Sequence, residues 1–590
     1  MRSHRRLIDW LGRRIDDQRL HLSRPEALLS MAGLGVVTGL AAGLVIVAFR
    51  LAIEVPQIAL LPGADPENYE GLAPLLRFVL PVGGGLVVGL MFLLFARREI
   101  SVGVVQVMER LAYFQGHLSW RGMLLQFAGA TVAIVSGNSV GREGPSVHLG
   151  AATGSLLGQH LGLPNNSLRT LVGCGTAAAI AASFNTPLAG VIFALEVVMM
   201  EYSLLSFTPV ILSAVSATAV SILFFGRDPA FVVPPLELVS LLELPLVLLL
   251  GVLCGAAAAA FIRLVHLITT RSRDVPFWVR APLAGLLAGA CALVVPEVMG
   301  IGYDTVNAAL IGGVTLGTLA GIALVKLVAT AGAIGLGVPG GLIGPTLVIG
   351  ASLGGATALV AGLWLPGDLT PHPGFYALLG MGAMMAGTLQ APLAALMAIF
   401  ELTANPGTIL PGMLAVVTAA LACSELFHGQ SVFMMLLQAR GLDYRNDPIT
   451  QALRRAGVAS VMDRSFAQVP ASLSIEEARE ALAGNPRWLL IRREQGPAVL
   501  MPSIDLARHL EALKADPESP QTTEPMDLLQ IPGNRCEAAS VHLRATLQEA
   551  VQELGRNQVD AVYVERLSAP GIKRVYGILT REGIENTYAP

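Results

Sequence analysis

The sequence predicts an all-α polytopic membrane protein built from two related halves, followed by a small α/β module. Three observations carry this. The chain of 590 residues is 53% hydrophobic and 14% charged, with a mean hydropathy of +0.63, a balance that soluble domains of this size do not have. A set of motifs in the first half returns, in the same order, in the second. Beyond about Asn446 the long apolar runs stop and charge rises.

The N-terminal stretch "MRSHRRLIDWLGRRIDDQRLHLSR" is basic and polar for too long to be a secretory signal. It precedes the first apolar run, Ala27 to Phe49, and positive charge before the first span predicts a cytoplasmic segment over residues 1–26. The membrane part is expected over 27–440. Further apolar runs fall near 78–96, 123–141, 171–200, 208–225, 244–262, 281–296, 308–335, 346–365, 375–401 and 408–425. Several are long enough to cross a bilayer at about 1.5 Å per residue. Others are short or broken by glycine and proline, as in "VSGNSVGREGP" and "GVPGGLIGP", and any one of these reads equally as a buried or re-entrant helix. Together they predict ten or more membrane elements. The 63 glycines suit helices that approach closely.

The repeat rests on three landmarks. "GPSVHLGA" (144–151) returns as "GPTLVIGA" (344–351), a shift of 200 positions. "TPLAGVIFALE" (186–196) returns as "APLAALMAIFE" (391–401), each with a glutamate nine positions after its proline. Upstream, "VGV" around Gly103 corresponds to "GIGY" around Gly302. Two homologous halves, roughly 30–220 and 235–430, follow. Internal repeats with broken helices are typical of transporters, whose site lies at the repeat interface.

The broken helices point to the cargo. A helix start exposes unpaired N–H groups and about half a positive charge, and glycines just before it let an ion approach the backbone. Such starts occur at "SVGVV" (101–105), "GREGP" (141–145) and "GVPGGLIGP" (337–345). Several of them meeting at mid-membrane make an anion site without a fixed cation; tight glycine packing is the competing reading of each stretch alone. Glu143 shifts the balance, because a carboxylate at a positive helix end stands in for an anion and is released by an anion or a proton. It is therefore a candidate gate.

Other chemistries find less support. A net charge of −3 gives no sign of a nucleic-acid partner, and the five cysteines have no paired or metal-binding spacing. A divalent-cation channel needs rings of carboxylates, but Glu143, Glu196, Asp304 and Glu401 sit at helix ends rather than in a cluster. Asp304 reads as a helix cap. A membrane hydrolase needs a Ser/His pair, a Gly-Asp pair or a metal motif, and neither alternative accounts for the repeat. The chain is expected not to be an enzyme and to hold no metal.

The stretches "GREGP", "GVPGGLIGP", "FNTPLAGVIFALE" and "GMGAMMAGTLQAPLA" resemble the signature motifs of the CLC chloride channels and proton-coupled anion antiporters, over roughly 30–440. The resemblance implies a homodimer in a lipid bilayer with one anion path per subunit, two inverted halves, and Glu143 as the gate. It places the anion path at Val102, Gly103, Gly141, Arg142, Gly144, Leu342, Ile343 and Phe433, with Arg142 supporting its helix start and His148 serving packing or a local hydrogen bond. There are departures. Val102 takes the place of the family's anion-holding serine and Val105 that of a proline; Ile343 stands where phenylalanine is usual. Phe433 replaces a tyrosine, and Tyr444, in a polar segment further on, is a poor substitute. Where coupled members often carry two adjacent glutamates, this chain has Glu196 followed by Val197, as passive channels do. Glu196 and Glu201 remain as proton-pathway candidates beside Glu143, although the polar neighbours of Glu201 suggest an exposed end. The implied function is transport of chloride or similar small anions, leaning to channel-like or weakly coupled conduction, with a proton/chloride antiporter as the alternative. The implied location is a bacterial inner membrane.

The C-terminal part, 455–590, carries two similar segments, "ASLSIEEAREALAGNPRWLLIRR" and "ATLQEAVQELGRNQVDAVYVER", each an amphipathic helix, a turn and an apolar strand followed by a further strand and helix. They resemble a cytoplasmic CBS domain pair, joined by the linker "LKADPESPQTTEPMD". The adenosine-binding pattern of such pairs ends Thr-x-x-Asp. Here Pro502 to Asp505 and Thr580 to Gly583 each lack one partner, so packing and dimerisation are favoured over a bound nucleotide, and no cofactor is expected.

If the central anion site lacks both hydroxyls, restoring them tightens it. Val102→Ser with Phe433→Tyr is expected to strengthen chloride binding, each hydroxyl adding about 1 kcal/mol. Unchanged affinity of the double variant by titration calorimetry would exclude these two positions from the site.

Overall fold

Hydrocarbon offers no partner to backbone N–H and C=O groups, so the apolar runs close their hydrogen bonds internally as helices. The computed structural model describes residues 28–96, 103–202, 204–227, 231, 238, 240–364, 370–403, 405–442, 448–493, 496–515, 525–569 and 572–588. The N-terminal segment 1–26, Val102, Tyr444 and most of the expected linker lie outside them. There are two compact units: Leu29–Leu161 with Leu168–Arg445, and Gly162–Ser167 with Asn446–Pro590.

Among the described residues the first unit holds two sets of eight helices. The first set is α1 Leu28–Leu60, α2 Pro74–Phe95, α3 Val104–Tyr113, α4 Trp120–Val135, α5 Glu143–Leu161, α6 Asn165–Phe184, α7 Pro187–Phe193 with a π-helical extension Ala194–Met199, and α8 Leu204–Phe225. The second is α9 Leu244–Arg271, α10 Phe277–Val294, α11 Tyr303–Ile311, α12 Leu316–Gly335, α13 Ile343–Gly362, α14 Pro373–Leu389, α15 Pro392–Thr403 and α16 Ile409–Leu421, followed by α17 Val432–Ala439. Among the described residues nine helical stretches are long and apolar enough to cross a membrane.

The halves match in their caps as well as their order. Ser119 accepts the Gly122 N–H to open α4, and Thr315 accepts the Thr318 N–H to open α12. Both helices end in the same paired-bond motif. Gly137 (φ +78°) and Gly337 (φ +85°) turn the chain in the left-handed region. Their N–H groups return to Ile134 and Ile334, while those of Asn138 and Val338 return to Ala133 and Ala333. The chain then runs as a short extended segment into α5 or α13. There the two halves meet: Gly141 donates to the Gly341 carbonyl at 2.6 Å and Gly341 returns the bond at 2.7 Å. The bridge is antiparallel, so the equivalent segments run in opposite directions where they touch.

Glycine also sets the helix crossings. A Cβ on Gly150 of α5 would lie 2.2 Å from the Gly175 carbonyl oxygen of α6, and one on Gly350 of α13 would lie 2.2 Å from that of Gly380 in α14. The backbones are in contact at equivalent points, 200 residues apart along the first helix of each pair.

The second unit repeats helix–strand–strand–helix twice, as the sequence predicts. Helices α18 Pro448–Arg455 and α19 Val458–Val461 lead into β1 Phe466–Pro470 and β2 Ser472–Leu473. The first copy is α20 Ile475–Ala483, β3 Trp488–Arg492, β4 Ala498–Pro502 and α21 Ser503–Ala515. After β5 Met526–Asp527 and β6 Cys536–His542 comes the second copy, α22 Leu547–Asn557, β7 Ala561–Ala569, β8 Ile572–Thr580 and α23 Arg581–Tyr588. The main sheet runs β1-β3-β4-β6-β7-β8. In each copy a parallel pair (β1 with β3, β6 with β7) is followed by an antiparallel partner. Both crossover helices open with reciprocal capping boxes, Ser474 with Glu477 and Thr546 with Glu549.

A side chain at the glycine crossings has backbone in its way, so overpacking there costs about 1–3 kcal/mol. Gly380→Ala is expected to lower the melting temperature in detergent, while Gly33→Ala, whose Cβ meets nothing within 4 Å, leaves it unchanged. Equal melting of both variants would contradict the close contact.

Candidate functional site

Glu143 is the first residue of α5 and is fully buried. Because the Gly141–Gly341 bridge sets the starts of α5 and α13 against each other, its carboxylate crosses to the other half. One oxygen accepts the Gly344 N–H at 3.0 Å, in the first turn of α13. The other accepts the hydroxyl of Tyr303, the first residue of α11. The carboxylate therefore lies on the positive start of a helix from the opposite repeat, where a small anion would be held. Arg142 points elsewhere. Its guanidinium pairs with Glu54 of α1 at 3.3 Å and lies over the Tyr303 ring, 5.2 Å from the centroid. Arg142 is thus held between α1 and the start of α11.

A cavity of about 80 Å³ adjoins this point, lined by Gly103, Gly144, Leu342, Ile343, Phe433 and Arg440, among others. Of the predicted anion-path residues, five lie on this cavity. Gly141 lies beside it in the bridge, Arg142 is turned to Glu54, and Val102 falls outside the described residues. Gly103 opens α3 with φ +79° and ψ −162°, a conformation that favours glycine, and its N–H donates to Gln126 at 2.9 Å. Phe433 is buried and offers its ring where a hydroxyl is usual. Arg440 is paired with Glu109 at 3.4 Å.

The remaining predicted residues have other surroundings. Glu196 accepts the N–H groups of Leu393 and Ala394 at 3.2 and 2.6 Å, capping α15. Its repeat partner Glu401 accepts those of Leu188 and Ala189 at 2.9 and 2.7 Å, capping α7. Each half thus closes the other's helix start. Glu201 is not at an exposed end: it is only 6% accessible. The π-helical turn over 194–199 and the left-handed Met200 (φ +52°) fold the chain back, and the Glu201 N–H bonds to the Leu195 carbonyl at 3.0 Å. His148 is buried, and neither ring nitrogen has a hydrogen-bond partner among the described residues, so packing is its observed role. Asp304 accepts the next N–H, that of Thr305; the cap of α11 is Glu67, whose Oε2 accepts the Tyr303 and Asp304 N–H groups at 2.6 and 3.1 Å. In the second unit the Asp505 carboxylate accepts the Asn534 N–H at 3.0 Å and Thr580 accepts that of Gly583. Both are used on the unit's own backbone.

Three residues here escape sequence reasoning. Tyr303 stands in the "GIGY" landmark, but nothing in one dimension links it to Glu143. Glu67 lies in a loop. Lys326 was legible as a signal: a lysine within "GIALVKLVAT" at membrane depth calls for a reason. It is fully buried, and its ammonium donates to the Val298 and Gly300 carbonyls at 3.0 Å each. Its repeat partner is Gln126, so equivalent side chains brace the turns before α11 and α3.

The sequence profile described as voltage gated chloride channel matches residues 84–424, more than half of the chain. The chain belongs to that family. A ClcB-like protein of Ralstonia nicotianae is 36% identical over 66% of this chain and 92% of its own length. The H(+)/Cl(−) exchange transporter ClcA of Vibrio cholerae is 32% identical over 58% and 75%. Among solved structures, a slow cyanobacterial Cl−/H+ antiporter shares the fold with a TM-score of 0.61 at 24% identity, covering 71% of this chain and 99% of that one. A eukaryotic CLC transporter, at 0.60 and 21%, covers 94% and 98%. The all-α membrane fold and anion transport as a class are thereby established for this CLC chain, which is an integral, multi-pass membrane protein.

Glu67 lies between α1 and α2, outside the spanning helices. Burial, and next the Asp304 charge, push its carboxyl up to about 7, and Glu70 is raised likewise. Between the ordinary carboxylate value and about 7 the folded CLC chain keeps protons that the unfolded chain has released, so stability falls as pH rises through that window. Melting curves from pH 5 to 8 are expected to show this decline, and Glu67→Gln to flatten it in part. An unchanged slope would remove Glu67 as a carrier of one of those protons.

Proposed function

We propose that this protein exchanges chloride for protons, with Glu143 as the shared gate. The observation that carries the reading is the position of the Glu143 carboxylate on the Gly344 N–H. An anion arriving at the start of α13 competes for the same N–H groups, and a proton on Glu143 removes the charge that holds it there. One carboxylate thus answers to both ions. The Vibrio cholerae relative, named an exchange transporter, favours this over the channel-like conduction that Val197 suggests. The anion path runs past Gly103, Gly144, Leu342, Ile343 and Phe433.

Channel-like conduction is the second reading, and two observations favour it. Val197 is buried where coupled members often carry a carboxylate, and Glu196 is committed to capping α15. Under the exchange reading Glu201, buried beyond the π-helical turn, is the carboxylate left to bring protons inward.

The protein works as a homodimer in a bacterial inner membrane, with the N-terminus and the C-terminal unit in the cytoplasm. That unit is a CBS pair which serves packing rather than nucleotide binding. Transport, not catalysis, is its activity.

Liposomes under a chloride gradient, with potassium and valinomycin clamping the voltage, test the choice. Wild type is expected to drive protons uphill. Glu143→Gln is expected to stop proton movement and make chloride flux independent of pH, and Glu201→Gln to reduce proton flux more than chloride flux. Chloride flux without proton movement in wild type would establish conduction instead. A wild-type pH profile in Glu143→Gln would remove Glu143 as the gate.

A further inference from the structure

The gate carboxylate has two neighbours of different kinds. The Gly344 N–H belongs to the backbone of α13. The Tyr303 hydroxyl belongs to a side chain, and this sequence chose it. We propose that Tyr303 is a latch: its hydroxyl holds Glu143 in the pathway and sets how readily a proton or an anion releases it. The inference rests on the reading of Glu143 as the gate and adds a positioning residue to it.

The hydroxyl is held at one place from several sides. Its ring stands edge-on to Phe231, with centroids 4.9 Å apart, and lies 6.2 Å from Phe184. The Arg142 guanidinium covers one face. Its backbone is fixed by Glu67, which takes the first two N–H groups of α11. Gly302, at φ +89°, sets the angle at which the helix begins. Lys326 ties down the carbonyls of Val298 and Gly300 just before it. A donor so constrained in a buried site forms a charge-assisted bond that water does not replace.

The repeat shows that the pair is not a by-product of the fold. Tyr303 opens α11 and Glu143 opens α5. The equivalent residues, Val104 opening α3 and Ile343 opening α13, are apolar and line the cavity. The same backbone geometry thus carries a hydroxyl and a carboxylate on one side and two hydrocarbon side chains on the other. A ring needed only for packing would not require the hydroxyl.

The test measures chloride efflux from liposomes between pH 4.5 and 8 for wild type, Tyr303→Phe, Glu143→Gln and the double variant. Tyr303→Phe keeps the ring and loses the donor. It is expected to raise efflux at pH 7.5 about tenfold, the order set by one hydrogen bond to a charged group, and to move the pH of half-maximal flux upward by about one unit. The double variant is expected to match Glu143→Gln. Replacement of Tyr303 by 3-fluorotyrosine, a stronger donor of nearly the same shape, is expected to move the midpoint downward, and it gives a reading even where Tyr303→Phe fails to fold. Wild-type flux and midpoint in Tyr303→Phe or in the fluorinated protein, with Glu143→Gln independent of pH, would discard the latch and keep the gate. An additive double variant would also discard it, because Tyr303 would then act elsewhere. A wild-type profile in Glu143→Gln would discard the gate itself.

Discussion

Two glycines exchanging backbone hydrogen bonds hold the centre of this protein together. The Gly141–Gly341 bridge joins the halves where neither is helical. A side chain at Gly341 would meet the Gly144 nitrogen at 2.6 Å, so the contact needs residues without a Cβ. Because α5 and α13 begin two residues beyond the bridge, their starts are forced to face one another. The reach of Glu143 onto Gly344, the adjoining cavity and the approach of Tyr303 all follow from that constraint.

A second theme is how helix starts are satisfied without water. Every helix leaves N–H groups unpaired at its beginning, and at membrane depth something in the protein must meet them. Here that partner is repeatedly a carboxylate from a distant element: Glu67 for α11, Glu401 for α7, Glu196 for α15 and Glu143 for α13. Glu67 sits in the loop between α1 and α2, and Glu401 and Glu196 sit on helices away from the cavity. Glu143 alone adjoins the cavity formed by the starts of α3, α5 and α13. Function and structure use one interaction here, and they differ in whether an ion can reach it.

Much of this was legible in the sequence. Hydropathy and the recurrence of "GPSVHLGA" and "TPLAGVIFALE" gave the two halves, and the glycine-rich starts gave the face of the cavity, because both depend on local composition. What distance along the chain separates was not legible. Tyr303 lies 160 positions from Glu143, and Glu67 is further still from α11. Glu201 was misread for a different reason. Its polar neighbours suggested solvent, but the π-helical turn before it is a backbone irregularity without a sequence signal, and it carries the side chain inward. Phe433 behaved as its chemistry demands, placing an apolar ring on the cavity.

The reciprocal caps of Glu196 and Glu401 tie the two repeats to each other. Each glutamate sits at the same position of its repeat and closes the helix start of the other, so the contact is self-complementary in the manner of a two-fold interface. A single half standing alone in a membrane would leave both its glutamate and its own Pro-Leu-Ala helix start unmatched. Two copies of that half would satisfy everything at once. The clasp therefore has the form of a dimer contact between identical subunits, held inside one polypeptide.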